Sequence, residues 1–497
     1  MIVSSEVFRR SVASMVAGLV VSADALSGDW KTSYGVSARE QYTDNVCLED
    51  GGDEDEWITT VSPIFSVKGS GGRVNLDVSA AFELNNLDDD DSDCNNDSSG
   101  DSDSFNPRVN ASGTVELVSD RVFIDIKAQV QQNRRDAFRG GGDSSLNRRG
   151  NTNTTYDYSV SPYLVGKLKD YAQYNIRYDF GDQSNSESEV DDSDEEGVYF
   201  TFNSVGGSPL GWTLSGSYRT VEYDSREDGS STDSQDLSSV SLTLNYRLNR
   251  KWQFYASTGE EDNDFDSVND DIDGTRWSAG FNWTPNPRTE LNLGTGDRFI
   301  GDTPTLNFSH RLKRSQFTAS YQKLVTFSRS LRFDQIDIPV VDTNGDPLLD
   351  LEGLPIFLSF GSTSETRSPV VDERAQLGYR WSRGRTSLNV DLVESEQIRE
   401  EDNERSTFTT VSLGGSRKLS PHLTLNARMV YRDTEVDGDS LDLGDDSQEY
   451  RYYIGLSKKL GPKTSMTMNY SHNDRRSDLN DDEYRENRVT LGVVMRW

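Results

Sequence analysis

The sequence predicts an all-β fold, a single large antiparallel transmembrane β-barrel of about 22 strands, within a range of roughly 20 to 24. Three observations predict it. Apolar and polar residues alternate with a period of two along most of the chain. Short turns alternate with long polar loops. Six of the eight tryptophans are in phase with the apolar residues of their strands.

Composition excludes several function classes. The 497 residues carry a net charge of −33, which argues against a nucleic-acid partner because phosphate contacts need clustered Lys and Arg. Three His and two Cys leave little material for zinc or haem sites. The mean hydropathy of −0.72 is compatible with a barrel, since only every second strand residue contacts lipid.

The N-terminal segment has the anatomy of a secretory signal peptide. Arg9 and Arg10 precede an apolar stretch over 11–21, and Ala23-Asp24-Ala25 offers a cleavage site. We therefore predict a signal peptide over 1–25 and a mature barrel over 26–497; a buried N-terminal helix is the alternative. Since the first strand begins close to the cleavage site, we expect no room for an N-terminal plug or for periplasmic domains.

Strand patterning runs from Trp30 to the last residue. Trp30, Tyr34 and Val36 share one face of the first strand, and Val489, Leu491 and Val493 share one face of the last. Loops such as 85–107, 133–153, 181–196, 259–273 and 433–447 alternate with turns such as 119–121, 249–251 and 461–463. This predicts long extracellular loops and short periplasmic turns in a bacterial outer membrane. A soluble sandwich or propeller, the alternative, would not keep this alternation.

Tryptophan placement supports the same interpretation. The six tryptophans at the short-turn ends of strands are Trp30, Trp212, Trp252, Trp283, Trp381 and Trp497. An amphipathic ring prefers the membrane–water interface, so these residues predict an aromatic girdle. Trp497 also resembles the terminal aromatic residue that outer-membrane proteins present to the barrel-assembly machinery, which we expect as a partner.

Negative charge is concentrated in four loops. Loops 47–56, 85–107, 181–196 and 259–273 together contain 30 acidic residues and no Lys or Arg. They form either a solubilising outer surface or a divalent-cation site, because Asp oxygens suit Ca²⁺. In the second interpretation, the ligands resemble part of an EF-hand loop and are Asp262, Asp264, Asp266 and Asp273, although Ser267 replaces the required Gly. Beyond this possible Ca²⁺, we expect no cofactor.

Two further loop features carry predictions. Cys47 and Cys94 lie in acidic loops on the long-loop side, so we predict a disulfide between them, with two unpaired thiols as the alternative. Loop 133–153 is the basic exception, with Arg134, Arg135, Arg139, Arg148 and Arg149 against two Asp. We expect it to contact acidic neighbours or lipopolysaccharide phosphates.

The predicted inner face carries more Arg than acid. The candidate pore-lining residues are Arg177, Arg219, Arg247, Arg374, Arg380 and Arg428, which are either solvated in a channel or paired across strands. Loop 327–371 is the longest, and it contains the apolar stretches 336–341 and 354–360. It folds inward to narrow the pore or forms an extracellular hairpin, and the sequence favours neither alternative.

An enzyme is not predicted. Hydrolysis inside a barrel needs a His base facing the lumen or its rim. His310 and His472 are in phase with apolar residues, and His422 is in a short turn. No catalytic triad or carboxylate pair can be assembled from these residues.

The run Tyr42-Thr43-Asp44-Asn45-Val46, followed by an acidic loop and a strand containing Ser62-Pro63, resembles a family of outer-membrane β-barrel porins. Those porins are associated with exopolysaccharide and PEP-CTERM (exosortase) gene clusters. The resemblance implies a channel or scaffold for exporting polysaccharide or surface proteins, with export components as partners and no catalytic residues. It extends in layout over most of the mature chain.

Two functional hypotheses follow. The first is a porin-like outer-membrane channel for the export or diffusion of a polar solute, a polysaccharide or a surface component. The second is a non-conducting structural or adhesive barrel whose acidic loops bind cations or extracellular matrix. Both place the chain in contact with outer-membrane lipid and lipopolysaccharide, and ion conductance distinguishes them.

Overall fold

The fold is described from a computed structural model. The described residues are 28–51, 55–87, 105–134, 138–141, 151–187, 190–206, 208–224, 233–269, 271–327, 329, 338–339, 357–358, 367–437, 446–478 and 482–497. The predicted signal peptide lies outside them. Within them, no helix is long and apolar enough to cross a bilayer.

The strands of the N-terminal half are β1 (Gly28–Thr43), β2 (Glu56–Gly71), β3 (Val74–Leu87), β4 (Phe105–Val118), β5 (Val122–Arg134), β6 (Thr152–Leu168), β7 (Ala172–Asn185), β8 (Ser193–Ser204), β9 (Leu210–Tyr223), β10 (Asp233–Arg247), β11 (Trp252–Asp264) and β12 (Gly274–Asn286). Those of the C-terminal half are β13 (Thr289–Arg298), β14 (Gly301–Asp302), β15 (Thr305–Arg311), β16 (Ser315–Thr326), β17 (Ile338–Pro339), β18 (Phe357–Leu358), β19 (Val370–Arg383), β20 (Thr386–Arg399), β21 (Arg405–Ser420), β22 (Leu423–Asp437), β23 (Ser447–Lys459), β24 (Thr464–Ser477) and β25 (Tyr484–Arg496).

The long strands form a closed antiparallel barrel. Each pairs with its neighbours in sequence, and the sheet closes where β1 pairs with β25, from Gly35 opposite Arg496 to Thr43 opposite Arg488. The two-residue β14 only extends the outer end of β13, and β17 pairs with β18 in a separate small hairpin. Without these three short elements the barrel has 22 strands, which confirms the predicted fold and strand number.

The barrel is apolar on its outside and polar on its inside, the reverse of a soluble protein. Apolar side chains such as Val61, Leu242 and Leu491 point outward and are exposed, whereas Ser62 and Ser412 point inward and are fully buried. A continuous exposed apolar band requires contact with lipid, and a closed barrel satisfies every ladder hydrogen bond inside it. The chain is therefore an outer-membrane barrel. The long loops lie on the extracellular side and the short turns on the periplasmic side.

Aromatic residues mark both edges of the lipid-facing band. At the periplasmic edge the rings of Trp252 and Trp283 are 5.6 Å apart, and Trp497 stacks on Tyr34 at 5.8 Å. The predicted periplasmic girdle is therefore present. Trp57 and Trp277, which the sequence interpretation left out, are also exposed on the outward face but lie at the extracellular ends of β2 and β12.

The Tyr42–Val46 run closes the barrel. The Asp44 carboxylate accepts hydrogen bonds from the backbone N–H of Asn487 (2.6 Å) and from its side-chain amide (2.7 Å). The Thr43 hydroxyl donates to Glu486 (2.9 Å), and the Asn45 side chain donates to the carbonyl of Arg485 (2.9 Å). Side chains that follow β1 thereby hold the extracellular end of β25.

Candidate functional site: the barrel lumen and its outer mouth

The inner wall differs between its two ends. Near the extracellular end, the side chains of Asp372, Glu449 and Arg475 are only 1%, 2% and 2% exposed. Near the periplasmic end, the inward-facing pair Lys68–Asp77 is 77% and 53% exposed. Charged groups are buried where other chain segments cover them. Loop segments therefore fill the outer mouth, while the periplasmic part of the lumen is open to solvent.

The first covering segment is 138–141, between β5 and β6. Phe138 is buried against Phe408 of β21, with their ring centroids 5.8 Å apart. The Gly140 N–H donates to the carboxylate of Asp482 (2.8 Å), which also pairs with Arg475 (2.6 Å). Strands β21, β24 and β25 lie across the closing seam from β5, so this segment folds over the barrel mouth.

A buried ionic network anchors the same region. Glu449 pairs with Arg134 (3.1 Å) and Arg451 (2.6 Å), and the Tyr484 hydroxyl donates to it (3.2 Å). Arg432 lies directly opposite Glu449 on the neighbouring strand β22. Buried opposite charges stabilise one another only when they are paired and hydrogen-bonded, and the Glu449 carboxylate has both kinds of partner here.

Arg134 therefore contacts an acidic neighbour, one of the two alternatives for loop 133–153. Arg139 is described, and the carbonyl of Arg139 accepts a hydrogen bond from Asn151 (3.1 Å). Arg135, Arg148 and Arg149 lie outside the described residues, so contact with lipopolysaccharide stays a prediction.

The second covering segment follows β16. Phe327 is fully buried against Val221 and Tyr223 of β9, with Leu237 of β10 packed alongside. The Arg219 guanidinium lies over the Phe327 ring, 4.7 Å from its centroid. Since β9 lies six strands away from β16 around the barrel, the beginning of loop 327–371 folds inward to reach it. The β17–β18 hairpin belongs to the same loop, and its position on the extracellular side stays a prediction.

Arg329 extends this contact with charge. It donates to the backbone carbonyl of Ser193 (3.1 Å) and pairs with Glu195 (3.4 Å) and Asp157 (3.8 Å). Glu195 also forms a bidentate pair with Arg219, at 2.7 and 2.9 Å. Asp157 lies level with Gln183, above the lipid-facing band. Burial raises the pKa of Asp157 to about 6, although Arg329 opposes the shift.

The third covering segment is 265–269, the acidic loop after β11. The Ser267 hydroxyl (2.8 Å) and the Asn269 amide (3.1 Å) both donate to Glu400 after β20. The Asp266 N–H donates to the buried Gln235 (3.1 Å). This acidic loop thus reaches strands on another side of the mouth.

The predicted calcium ligands are not brought together. Asp262 and Asp264 belong to β11 and point outward, while the Asp273 carboxylate accepts the Asn263 N–H (2.6 Å). An EF-hand needs these ligands on a tight loop, whereas a strand extends them along one edge. Across the described part of the chain, no group of three or more His, Cys, Asp or Glu side chains could hold a metal ion.

The six predicted pore-lining arginines face inward but differ in environment. Arg177 pairs with Asp125 (2.5 Å), Arg219 with Glu195, and Arg374 with Asp372 (3.0 Å). Arg374 is also buried beneath the mouth, so it does not line open lumen. Among the described residues, Arg247, Arg380 and Arg428 form no ion pair, and the first two are exposed. These three are the candidates that an aqueous solute meets.

The remaining predicted residues lie away from the lumen or outside the description. Cys47 is buried against Val46 and Ile58 and is disulfide-bonded. Cys94 lies outside the described residues, so the Cys47–Cys94 pairing stays a prediction. His310 and His472 lie on the outward face, 2.8 Å from Thr289 and Asn487 respectively.

Comparison with known proteins adds information on the fold. No protein-family model matches the chain, and no curated protein matches its sequence. Among solved structures, the chain is similar to a variant of the FrpB iron transporter from Neisseria meningitidis, with a TM-score of 0.51 and 11% identity, covering 94% of this chain and 81% of that one. It is also similar to the siderophore receptor PirA from Acinetobacter baumannii, with a TM-score of 0.50 and 10% identity, covering 93% and 80%.

A third similar structure is the ferric enterobactin receptor PfeA from Pseudomonas aeruginosa in complex with enterobactin, with a TM-score of 0.50, 8% identity, and coverage of 94% and 81%. At these identities the likeness concerns the fold. It shows that the fold of this barrel is similar to the folds of these solved receptor and transporter structures.

Proposed function

We propose that this protein is a porin-like outer-membrane channel for a polar solute. The observation that carries the proposal is the exposure of charged inner-wall side chains in the periplasmic half, where Lys68–Asp77 and Arg247 contact solvent. A purely structural barrel gains nothing from charges in an open lumen, whereas a channel needs them to hydrate and select its solute.

The outer mouth is the narrow part of this channel. Segments 138–141 and 265–269 and residues 327 and 329 cover the inner wall there. Their contacts are partly ionic and lie at the ends of long loops, so they can open without disturbing the barrel ladder. The mouth is thus the expected site at which passage of solute is controlled, and the periplasmic half is a wide vestibule.

The rival function is a non-conducting structural or adhesive barrel with acidic, cation-binding loops. One specific observation favours it: the ionic contacts of the mouth are almost completely buried, as at Glu449 and Arg475. A permanently closed mouth would leave the loops as the only functional surface.

Planar-bilayer recordings distinguish the two functions. The purified full chain and the variant Arg329→Ala are reconstituted and compared under the same voltage and salt. We expect ion conductance from the wild type and a larger or longer-lived open state from the variant, which loses the Ser193, Glu195 and Asp157 contacts. If heat-modifiable, correctly assembled barrels of both forms conduct nothing, the structural rival holds.

We further propose that the solute is a polysaccharide or a surface component, handled together with export partners. The support for this step is the Tyr42–Val46 resemblance, and the polar inner wall is compatible with it. Deletion of the gene in its native host, followed by measurement of secreted polysaccharide, tests the step; unchanged secretion contradicts it.

A further inference from the structure

One row of inward-facing residues, none of them a carboxylate, crosses seven strands of the barrel. Direct pairing leads from Arg311 in β15 to Gln316, Arg380, Asn389, Gly414, Arg428 and finally Tyr453 in β23. Arg311 ends its strand at the periplasmic turn, whereas Tyr453 lies midway along its strand. The row therefore climbs from the periplasmic end into the barrel, as ladder rows do in tilted strands.

From β19 to β25, the wall on the periplasmic side of the row is also free of acid. From β19 to β25, the described inward-facing residues on the periplasmic side of the row are Ser, Thr, Asn, Gly, Val, Lys and Arg. On the opposite wall, by contrast, Lys68 and Arg177 have acidic partners. Asp391 is the next inward-facing residue of β20 toward the extracellular end; it accepts a hydrogen bond from the Asn389 amide (3.1 Å) and interacts electrostatically with Arg380. The wall thus carries a net positive charge on one side of the lumen.

Arg428 is the central residue of the row. Its guanidinium lies over the ring of Tyr453, 5.6 Å from the centroid, and the Tyr453 hydroxyl donates to Asn469 (2.7 Å). Within the described chain, Arg428 has neither an ion pair nor a side-chain hydrogen bond. A guanidinium held against a ring, without an acidic partner, is prepared to bind a carboxylate through two N–H groups.

Glycines make room for the neighbouring amides. A Cβ at Gly414 would lie 2.3 Å from Oδ1 of Asn389, and a Cβ at Gly455 would lie 2.4 Å from Oδ1 of Asn469. The two amides therefore lie close to the wall on either side of Arg428. Amide groups donate and accept hydrogen bonds, which suits the hydroxyl groups of a sugar.

We propose that Arg311, Arg380, Asn389, Arg428, Tyr453 and Asn469 form a basic track that binds acidic oligosaccharides, chains of hydroxyl-rich units that bear carboxylates. Successive strands are about 4.8 Å apart, so Arg380 and Arg428, three strands apart, are roughly 14 Å from one another along the row. That spacing matches an extended ligand with repeated charges, not a single small anion. This inference rests on the proposed channel and names the solute class.

Block of the ion current tests the track. The full chain is reconstituted in planar bilayers, its open-channel current is recorded, and oligogalacturonate, a neutral malto-oligosaccharide of equal length or tripolyphosphate is then added. We expect oligogalacturonate to block at concentrations at least about tenfold lower than either other probe, since only it offers both carboxylates and hydroxyls.

Variants of the track residues test where oligogalacturonate binds when it blocks the current. We expect Arg428→Gln to raise the half-blocking concentration of oligogalacturonate about tenfold and Arg428→Lys to raise it less. The control is Arg177→Gln on the opposite wall, where Arg177 is paired with Asp125, and it should leave the half-blocking concentration unchanged. Arg380→Gln provides a second variant should Arg428→Gln fail to assemble. Equal block by the neutral sugar or by tripolyphosphate overturns the track, as does an unchanged block in Arg428→Gln. If the protein conducts but no probe blocks the current, the track is overturned and the proposed channel function still holds. If no current is recorded, the proposed channel function itself is contradicted.

Discussion

Asp44 and Asn487 are held together by two hydrogen bonds that join the beginning of the barrel to its end. The Asp44 carboxylate receives both the backbone and the side-chain N–H of Asn487. Bonds to a charged acceptor are stronger than neutral ones, and here they lie where the last strand must find the first. The motif therefore has a structural role at the seam, whatever passes through the lumen.

Removing this seam contact should weaken the barrel. We expect Asp44→Ala to destabilise it by roughly 2 kcal/mol, because two charge-assisted hydrogen bonds are lost and the Asn487 donors remain. The measurement is the temperature at which the folded, heat-modifiable band disappears on electrophoresis. Asp55→Ala is the control, since among the described residues Asp55 accepts one exposed hydrogen bond, from Tyr42. Equal transition temperatures for the two variants would contradict the prediction.

Loosening the first covering segment should open the mouth. Phe138→Ala removes the aromatic contact with Phe408, which we expect to cost the docked segment about 3 kcal/mol or more. Single-channel conductance should rise, while the heat-modifiable band stays at its wild-type temperature because the ladder is untouched. Phe82→Ala, on the lipid-facing side, is the control and should leave conductance unchanged. A Phe138→Ala conductance equal to wild type would show that 138–141 does not narrow the pore.

Acidic pH should stabilise the docked state of the second covering segment, which contains Phe327 and Arg329. The buried Asp157 has a pKa raised to about 6, so it binds a proton more tightly with Arg329 docked than when exposed to water. The docked state therefore gains stability as the pH falls from above 6 toward 4, by at most about tenfold per pH unit. We expect conductance to fall between pH 7 and pH 5. Asp157→Asn, which mimics the protonated form, should remove the pH dependence of conductance. If conductance falls equally in Asp157→Asn, the pH dependence arises from another group.

Ion selectivity should depend on salt. The acidic loops attract cations at low ionic strength, but their charges are screened within about 8 Å at physiological salt, whereas charges in the lumen are screened less. Reversal potentials should show cation preference at low salt that weakens or reverses toward anions as salt rises. Arg380→Gln should weaken the high-salt anion preference. Arg374→Gln should not, because Arg374 is buried against Asp372; equal effects would contradict this assignment.

Disulfide mapping tests the predicted disulfide between Cys47 and Cys94. Peptides from the non-reduced protein should include one around Cys47 linked to one around Cys94, since the chain has no other cysteines. Reduction should separate them. Quantitative alkylation of both thiols without reduction would contradict the pairing.

The barrel could be predicted from sequence because its determinants are local. Alternation with a period of two, turn residues and the phase of Trp252 or Trp497 can be read within a single strand. The outer girdle at Trp57 and Trp277 was available from the same phase and was missed because both lie at the long-loop ends.

The mouth could not be predicted in the same way. Phe138 meets Phe408, and Arg329 meets Glu195, across the lumen and far apart in sequence. Face assignment placed Arg374 correctly on the inner wall but could not show that loops bury it. The calcium motif also depends on local spacing, but Asp262 and Asp264 lie on β11 whereas Asp266 and Asp273 lie beyond its end, so calcium binding there stays a prediction.

The pairing of β1 with β25 also has a consequence for how the chain folds. With the short elements β14, β17 and β18 set aside, the other ladders of the barrel join strands that follow one another, whereas Thr43 and Glu486 are separated by 443 positions. The entropy lost on closing a loop grows with its length, and distant pairings form slowly. Hairpins can therefore assemble one after another, and the seam is the late step. Until it forms, both terminal strands have open edges that can pair with a foreign strand.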